Sequence, residues 1–137
     1  MIGRFAVACL LALCASVSAC GPSVEEKAEA GTLNRAIQVL RNAPNPMKAS
    51  SLAALAATRC ERPELCTLRD QCTDAYGLHV RGVEDEARAK QMLATDAAAA
   101  TIDAVLDRAR DELGRARPLV EKCTDAQGNL QRRYKLQ

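Results

Sequence analysis

The chain predicts an all-α fold: a small helical bundle built on a long antiparallel helical hairpin, about 63–93 and 96–123, preceded by two shorter helices and stapled by disulfides. Three observations predict it. Alanine supplies 26 of the 137 residues while aromatic residues make up 2%, so the core must be filled by small side chains, which suit closely packed helices and suit a sheet poorly. Apolar residues recur at helical spacing over most of the chain. Beyond residue 59 stand four cysteines, Cys60, Cys66, Cys72 and Cys123, an even set of the kind that forms two disulfides in an exported domain.

The elements follow in order. Leu33, Ala36, Ile37 and Leu40 fall at i, i+3, i+4 and i+7, which predicts an amphipathic helix over about 24–41. Asn42-Ala43-Pro44-Asn45-Pro46 ends it and starts the next, with Asn45 as N-cap and Pro46 in the first helical position. The second helix presents Ala49, Leu52, Leu55 and Ala56 and runs to about Arg59, where Glu61-Arg62-Pro63 interrupts it. The third spans Pro63 to Leu93 and is weakened at Gly77 and Gly82, each by up to about 1 kcal/mol against alanine. The fourth runs from about Asp96 to Cys123. Its apolar positions Ile102, Leu106, Ala109, Leu113, Ala116, Val120 and Cys123 alternate spacings of four and three, a heptad seam, with a kink expected at Pro118. Residues 124–137, with Gly128-Asn129 and then Arg132, Arg133 and Lys135, read as an irregular basic tail.

A single rod from Pro63 to Arg117 would be about 80 Å long and could not cover its apolar stripe, so the chain should turn at Ala94-Thr95, with Thr95 as N-cap. That turn sets residue i opposite 189 minus i. Tyr76 then faces Leu113, Val80 faces Ala109, Val83 faces Leu106 and Ala87 faces Ile102. Cys66 and Cys72, six residues apart on one helix, are separated by about 9 Å of rise and about 240° of rotation. A disulfide needs Cα atoms within about 7 Å, which disfavours that pair. Because 66 and 123 add to 189, the favoured pairing is Cys66–Cys123 with Cys60–Cys72. Cys60–Cys66 with Cys72–Cys123 is second.

No cofactor or metal is expected. Zinc ligands come in close pairs such as C-x2-C, redox thiols as C-x-x-C and haem attachment as C-x-x-C-H, and the five-residue spacings here supply none of these. His79 stands without a neighbouring nucleophile. Asp103, Asp107 and Asp111 form a ladder that Arg110 and Arg115 turn into a solvated, salt-bridged face. Glu84-Asp85-Glu86 point in different directions around a helix. No nucleophile elbow, phosphate-cradling loop or paired histidine appears, and catalysis is not expected.

The start of the chain is the most informative stretch. Arg4, an apolar run from Phe5 to about Val17 and small residues ending at Cys20 make a secretory signal too short to span a bilayer. Val17-Ser18-Ala19-Cys20 resembles the lipobox of bacterial lipoproteins. The resemblance implies removal of residues 1–19, lipidation of Cys20, and a short tether over 20–23 ahead of a helical domain at 24–123. Each buried acyl methylene contributes about 0.8 kcal/mol to holding such a protein on a membrane. By the same resemblance, to the sorting of Gram-negative lipoproteins, Gly21 in place of a retention-type aspartate implies the inner leaflet of the outer membrane, with the domain facing the periplasm.

The 19 basic residues less Arg4 leave 18 against 17 acidic ones, so no electrostatic case for nucleic acid exists. The sequence therefore points to a membrane-attached, non-catalytic interaction or assembly-support module of the envelope, with a protein partner. Two rivals make structural demands. A carrier of a small hydrophobic ligand requires a cavity lined by Leu33, Ile37, Leu52, Leu55, Leu106 and Leu113. An enzyme requires His79 and the carboxylates to converge in a concave site.

Overall fold

The computed structural model describes residues 21–95 and 97–136, and it is all-α over that range: four helices, the last two forming a long antiparallel pair. Helix α1 (Val24–Asn42) begins at a capping box, in which the Ser23 hydroxyl accepts from the Glu26 N–H at 3.1 Å while the Glu26 carboxylate accepts from the Ser23 N–H at 2.7 Å. Ala30, Leu33, Asn34, Ile37 and Leu40 form its buried face. Ala43 leaves the helix in an extended conformation, as a residue before proline must. Helix α2 (Asn45–Ala56) takes Pro44 rather than Asn45 as its N-cap, starting one residue earlier than the dipeptide signal suggests. The Lys48 ammonium closes the α1–α2 corner by donating to the Leu40 and Arg41 carbonyls at 3.3 and 3.2 Å, which satisfies two of α1's orphan acceptors.

Helix α3 (Pro63–Leu93) has the bounds its sequence predicts. Helix α4 (Ala99–Tyr134) departs from expectation at both ends. It starts three residues late, because Thr95 does not cap it: the Thr95 hydroxyl donates back to the carbonyls of Gln91 and Met92 and serves the end of α3. At the other end the helix continues to Tyr134, so the expected irregular tail over 124–137 is helical up to that residue. Lys135 then terminates it in the left-handed conformation (φ 52°), its N–H reaching back to Arg132. Pro118 does not interrupt α4. The carbonyl deprived of its donor belongs to Gly114, and both residues are exposed, so water can serve it.

The late start of α4 moves the hairpin register. Asp85 meets Arg108 and Arg81 meets Glu112, pairs whose numbers total 193, and Cys72 meets Cys123, which total 195. The expected total of 189 is therefore corrected by about one helical turn. The disulfides change with it. The structure has Cys60–Cys66 (Cα–Cα 5.4 Å) and Cys72–Cys123 (Cα–Cα 5.1 Å), not the favoured Cys66–Cys123 and Cys60–Cys72. With the seam shifted, Cys72 comes opposite Cys123. Cys60, which precedes α3, folds back over Pro63 onto Cys66 in that helix's first turns.

The main core lies where all four helices meet. It includes Leu33, Ile37, Leu40 and Leu55 at 0–1% exposure, Leu65, Tyr76, Leu130, Tyr134 and the Cys72–Cys123 bridge. A second, smaller cluster of Ala89, Ile102 and Val105 closes the far end of the α3–α4 hairpin, with Met92, Ala97 and Leu106 against it. Gly82 packs tightly against α4: a Cβ there would lie 2.6 Å from Leu113 Cγ and 3.2 Å from the Ala109 carbonyl oxygen. Among the described residues, no helix is long and apolar enough to cross a membrane.

Candidate functional site

The structure disperses the residues that the sequence singles out for chemistry. Asp103, Asp107 and Asp111 stay on an exposed face of α4, where Arg110 bonds Asp107 at 3.1 Å and Arg115 bonds Asp111 at 3.4 Å. Of Glu84, Asp85 and Glu86, only Asp85 is buried, and it faces α4. Arg132 bonds Asn129, Arg133 lies 5.3 Å from the Tyr134 ring centroid and 3.9 Å from Glu64, and Lys135 is exposed. Cys20 and the signal lie outside the described residues. Among the described residues no group of three or more His, Cys, Asp or Glu side chains is placed to hold a metal ion.

One polar cluster does form around an apolar groove. Between the first turn of α2 and the middle of α3 lies a depression of about 380 Å³, lined by Pro46, Lys48, Ala49, Val80, Val83 and Ala87 among others. At its edge Lys48 Nζ stands 6.0 Å from the Tyr76 ring centroid, and His79 meets the same ring edge-on at 6.4 Å. Burial lowers the Lys48 amine from its ordinary value and raises the Tyr76 phenol, the latter against the nearby Arg41 charge. His79 is lowered by burial and by the Lys48 charge, with Glu86 opposing. Lys48 is committed to the α1 carbonyls, and Tyr76 is 4% exposed within the core. The cluster offers apolar contact and weak polarity rather than an acid, a base and a nucleophile on one substrate.

A second groove, about 240 Å³, lies between the first turns of α3 and the last turns of α4, over Leu65, Leu68, Leu130 and Tyr134. Leu33, Ile37 and Leu55 are buried in the main core with Leu52 packed against it, and Leu106 packs against the cluster at the far end of the hairpin.

Sequence reasoning missed two polar elements. The first is Asp85, held by two hydrogen bonds from Arg108. The second is a joint between α1 and α4, where Gln127 Nε2 donates to Asn34 Oδ1 at 2.9 Å and to the Asn34 carbonyl at 3.3 Å, and Gln131 donates to the same Oδ1 at 3.1 Å. The signal for Gln127 was present: it continues the four-three spacing of the α4 seam, followed by Leu130 and Tyr134. No protein-family model matches the chain, and no curated protein or solved structure is significantly similar to it.

Proposed function

We propose that this chain is a lipid-anchored, non-catalytic interaction module of the bacterial cell envelope, attached through Cys20 at the inner leaflet of the outer membrane and facing the periplasm. The signal and lipobox at residues 1–20 support the anchoring. The observation that carries the interaction role is the placement of the ends. Helix α1 starts beside the α2–α3 corner, where Glu26 meets Arg62 at 3.1 Å, and α4 ends there too, where Arg133 approaches Glu64. The hairpin tip lies at the other end of the 31-residue α3, about 45 Å away at 1.5 Å per residue.

Only Gly21 and Pro22 separate Cys20 from Ser23, so an anchor at Cys20 would hold the four-helix end against the bilayer and point the two-helix tip into the periplasm. Leu93 at that tip is 63% exposed, and Ala94, Ala98, Ala99 and Ala100 around it are exposed as well. A partner that covers this end gains apolar burial without disturbing the main core. A photo-crosslinking residue at position 93, in cells, tests the reading. It should capture an envelope protein in membrane fractions, and Cys20→Ser should abolish both the membrane association and the adduct. Recovery of bare monomer under several growth conditions would overturn the interaction role, and unchanged fractionation of Cys20→Ser would overturn the anchoring.

A further inference from the structure

The two disulfides differ in each property that governs thiol exchange. Cys72 and Cys123 are 0% and 2% exposed, at the centre of the α3–α4 seam, and their bridge joins residues 51 apart in sequence. Cys60 and Cys66 are only half-buried and lie 6 residues apart, at the corner between α2 and α3. An attacking thiolate must reach a sulfur directly, so the corner bridge is open to it and the seam bridge is not. Loop closure acts in the same direction. On the chain-entropy model the equilibrium advantage of a bridge grows as the three-halves power of loop length, which favours retention of the longer bridge by roughly 25-fold.

What the corner bridge holds is the end of α2. That helix contributes one fully buried residue, Leu55, with Leu52 half-buried. Besides the disulfide, the corner carries Arg69 donating to the Thr58 carbonyl at 3.1 Å, the Glu29 carboxylate accepting from the Glu61 and Arg62 N–H groups at 2.6 and 3.1 Å, and the Arg62–Glu26 ion pair at 3.1 Å. We propose that Cys60–Cys66 is a thiol-operated latch on α2, which an external dithiol opens while Cys72–Cys123 stays closed. One thiolate of the dithiol bonds to a sulfur of the pair, the Cys60–Cys66 bond breaks, and its electron pair leaves on the other cysteine, which takes a proton from water. The second thiol of the dithiol then displaces the remaining cysteine. The protein gains two electrons and two protons, and the dithiol becomes a disulfide. Release of the latch frees α2 to lift from α1 and α3 and uncovers the side of the core around Leu40 and Tyr76, while the stapled hairpin keeps its register.

The test is a dithiothreitol titration of the folded, oxidised protein, followed by alkylation, mass mapping and amide hydrogen exchange. Cys60 and Cys66 should be alkylated at a reductant level at least tenfold below that needed for Cys72 and Cys123. Over that interval, exchange should rise across α2 and remain unchanged along the α3–α4 seam. A Cys60→Ser/Cys66→Ser variant, with the seam bridge intact, should show the same pattern without reductant. Simultaneous reduction of both bridges, or earlier loss of Cys72–Cys123, would overturn the proposal. Unchanged exchange in α2 after selective reduction would overturn it too.

Discussion

Arg108 on α4 holds Asp85 on α3 with two hydrogen bonds, Nε to Oδ2 at 2.5 Å and Nη2 to Oδ1 at 3.1 Å, across the narrow part of the hairpin. The Asp85 side chain is 8% exposed and the Arg108 side chain 52%, so a buried carboxylate is matched by a guanidinium that keeps much of its hydration. The Arg108 hydrogen bonds pull the Asp85 carboxyl below the usual carboxylate range against the opposing effect of burial, with the Arg108 and Arg88 charges adding to the pull. The pair fixes the register that the two apolar clusters on either side of it require.

Asp85→Asn should therefore lower the melting temperature at pH 7, and the difference from wild type should vanish in acid. The folded-state pKa lies below the unfolded one, about 3.9 for aspartate, so the unfolded chain takes up the proton first as pH falls. The contribution is present above that value and is lost as pH drops through the folded pKa. Thermal melts of both proteins from pH 7 down to pH 2 check this. A difference that stays constant over the whole range would show that Asp85 acts through its shape and not its charge.

Gly82 and Gly114 should respond to alanine with opposite signs. At Gly82 the new methyl would collide with Leu113 Cγ at 2.6 Å and crowd the Ala109 carbonyl at 3.2 Å, and a backbone oxygen inside a helix has little room to yield. Overpacking of that kind costs about 1–3 kcal/mol, which exceeds the gain of up to about 1 kcal/mol in helix propensity. At Gly114 nothing lies within 4 Å, so the propensity gain stands alone, and Gly114→Ala should stabilise by about 0.5–1 kcal/mol. Urea unfolding of the two variants measures both signs.

Those glycines also show what was legible in the sequence. Periodicity placed α1 and proline placement α3 nearly to the residue, and the Ser23–Glu26 capping box that starts α1 is a local signal that the sequence held unread. The turn was harder. Its residues 94–98 hold no glycine or proline, and the hydrogen bonds of Thr95 decide between two starts of α4 that differ by less than a turn. That difference carried through the register and exchanged the disulfide partners. The end of α4 was lost for a different reason. Gln127 continues the four-three seam to Leu130 and Tyr134, but a glutamine there reads as polar surface until Asn34, 93 residues away, is seen to satisfy it at 1% exposure. The grooves are likewise products of helices meeting, and only their apolar residues were visible beforehand.

Asn34→Ala should expose that joint. Asn34 is 4% exposed and its Oδ1 accepts from both Gln127 and Gln131, while Arg41 donates to Gln127 Oε1 at 3.3 Å. Removing the acceptor leaves the buried Gln127 Nε2 with one longer bond, to the Asn34 carbonyl, for its two hydrogens. An unsatisfied buried donor costs about 1–3 kcal/mol, so the loss should fall in that range. Asn34→Ala combined with Gln127→Leu should cost less than the sum of the two single changes, because the second removes the group that the first leaves unpaired. A double-mutant cycle by chemical denaturation measures this. Strict additivity would mean that water replaces the lost contact.

Removal of each disulfide by a pair of alanines should separate the two kinds of stabilisation that they supply. The Cys72–Cys123 bridge closes 51 residues of sequence and Cys60–Cys66 closes 6, which on the chain-entropy model correspond to about 4 and about 2 kcal/mol. Burial widens the gap. Cys72 and Cys123 are core residues, and truncating their sulfurs leaves space among Leu68, Tyr76 and Val120, whereas Cys60 and Cys66 sit half in solvent. Cys72→Ala/Cys123→Ala should therefore lower global stability by at least 2 kcal/mol more than Cys60→Ala/Cys66→Ala, measured by urea unfolding under non-reducing conditions. The short-bridge variant should keep the wild-type exchange protection of the α3–α4 seam, because its lost constraint does not join α3 to α4. Equal losses in the two variants would mean that native-state packing around the short bridge, and not loop length, sets its contribution.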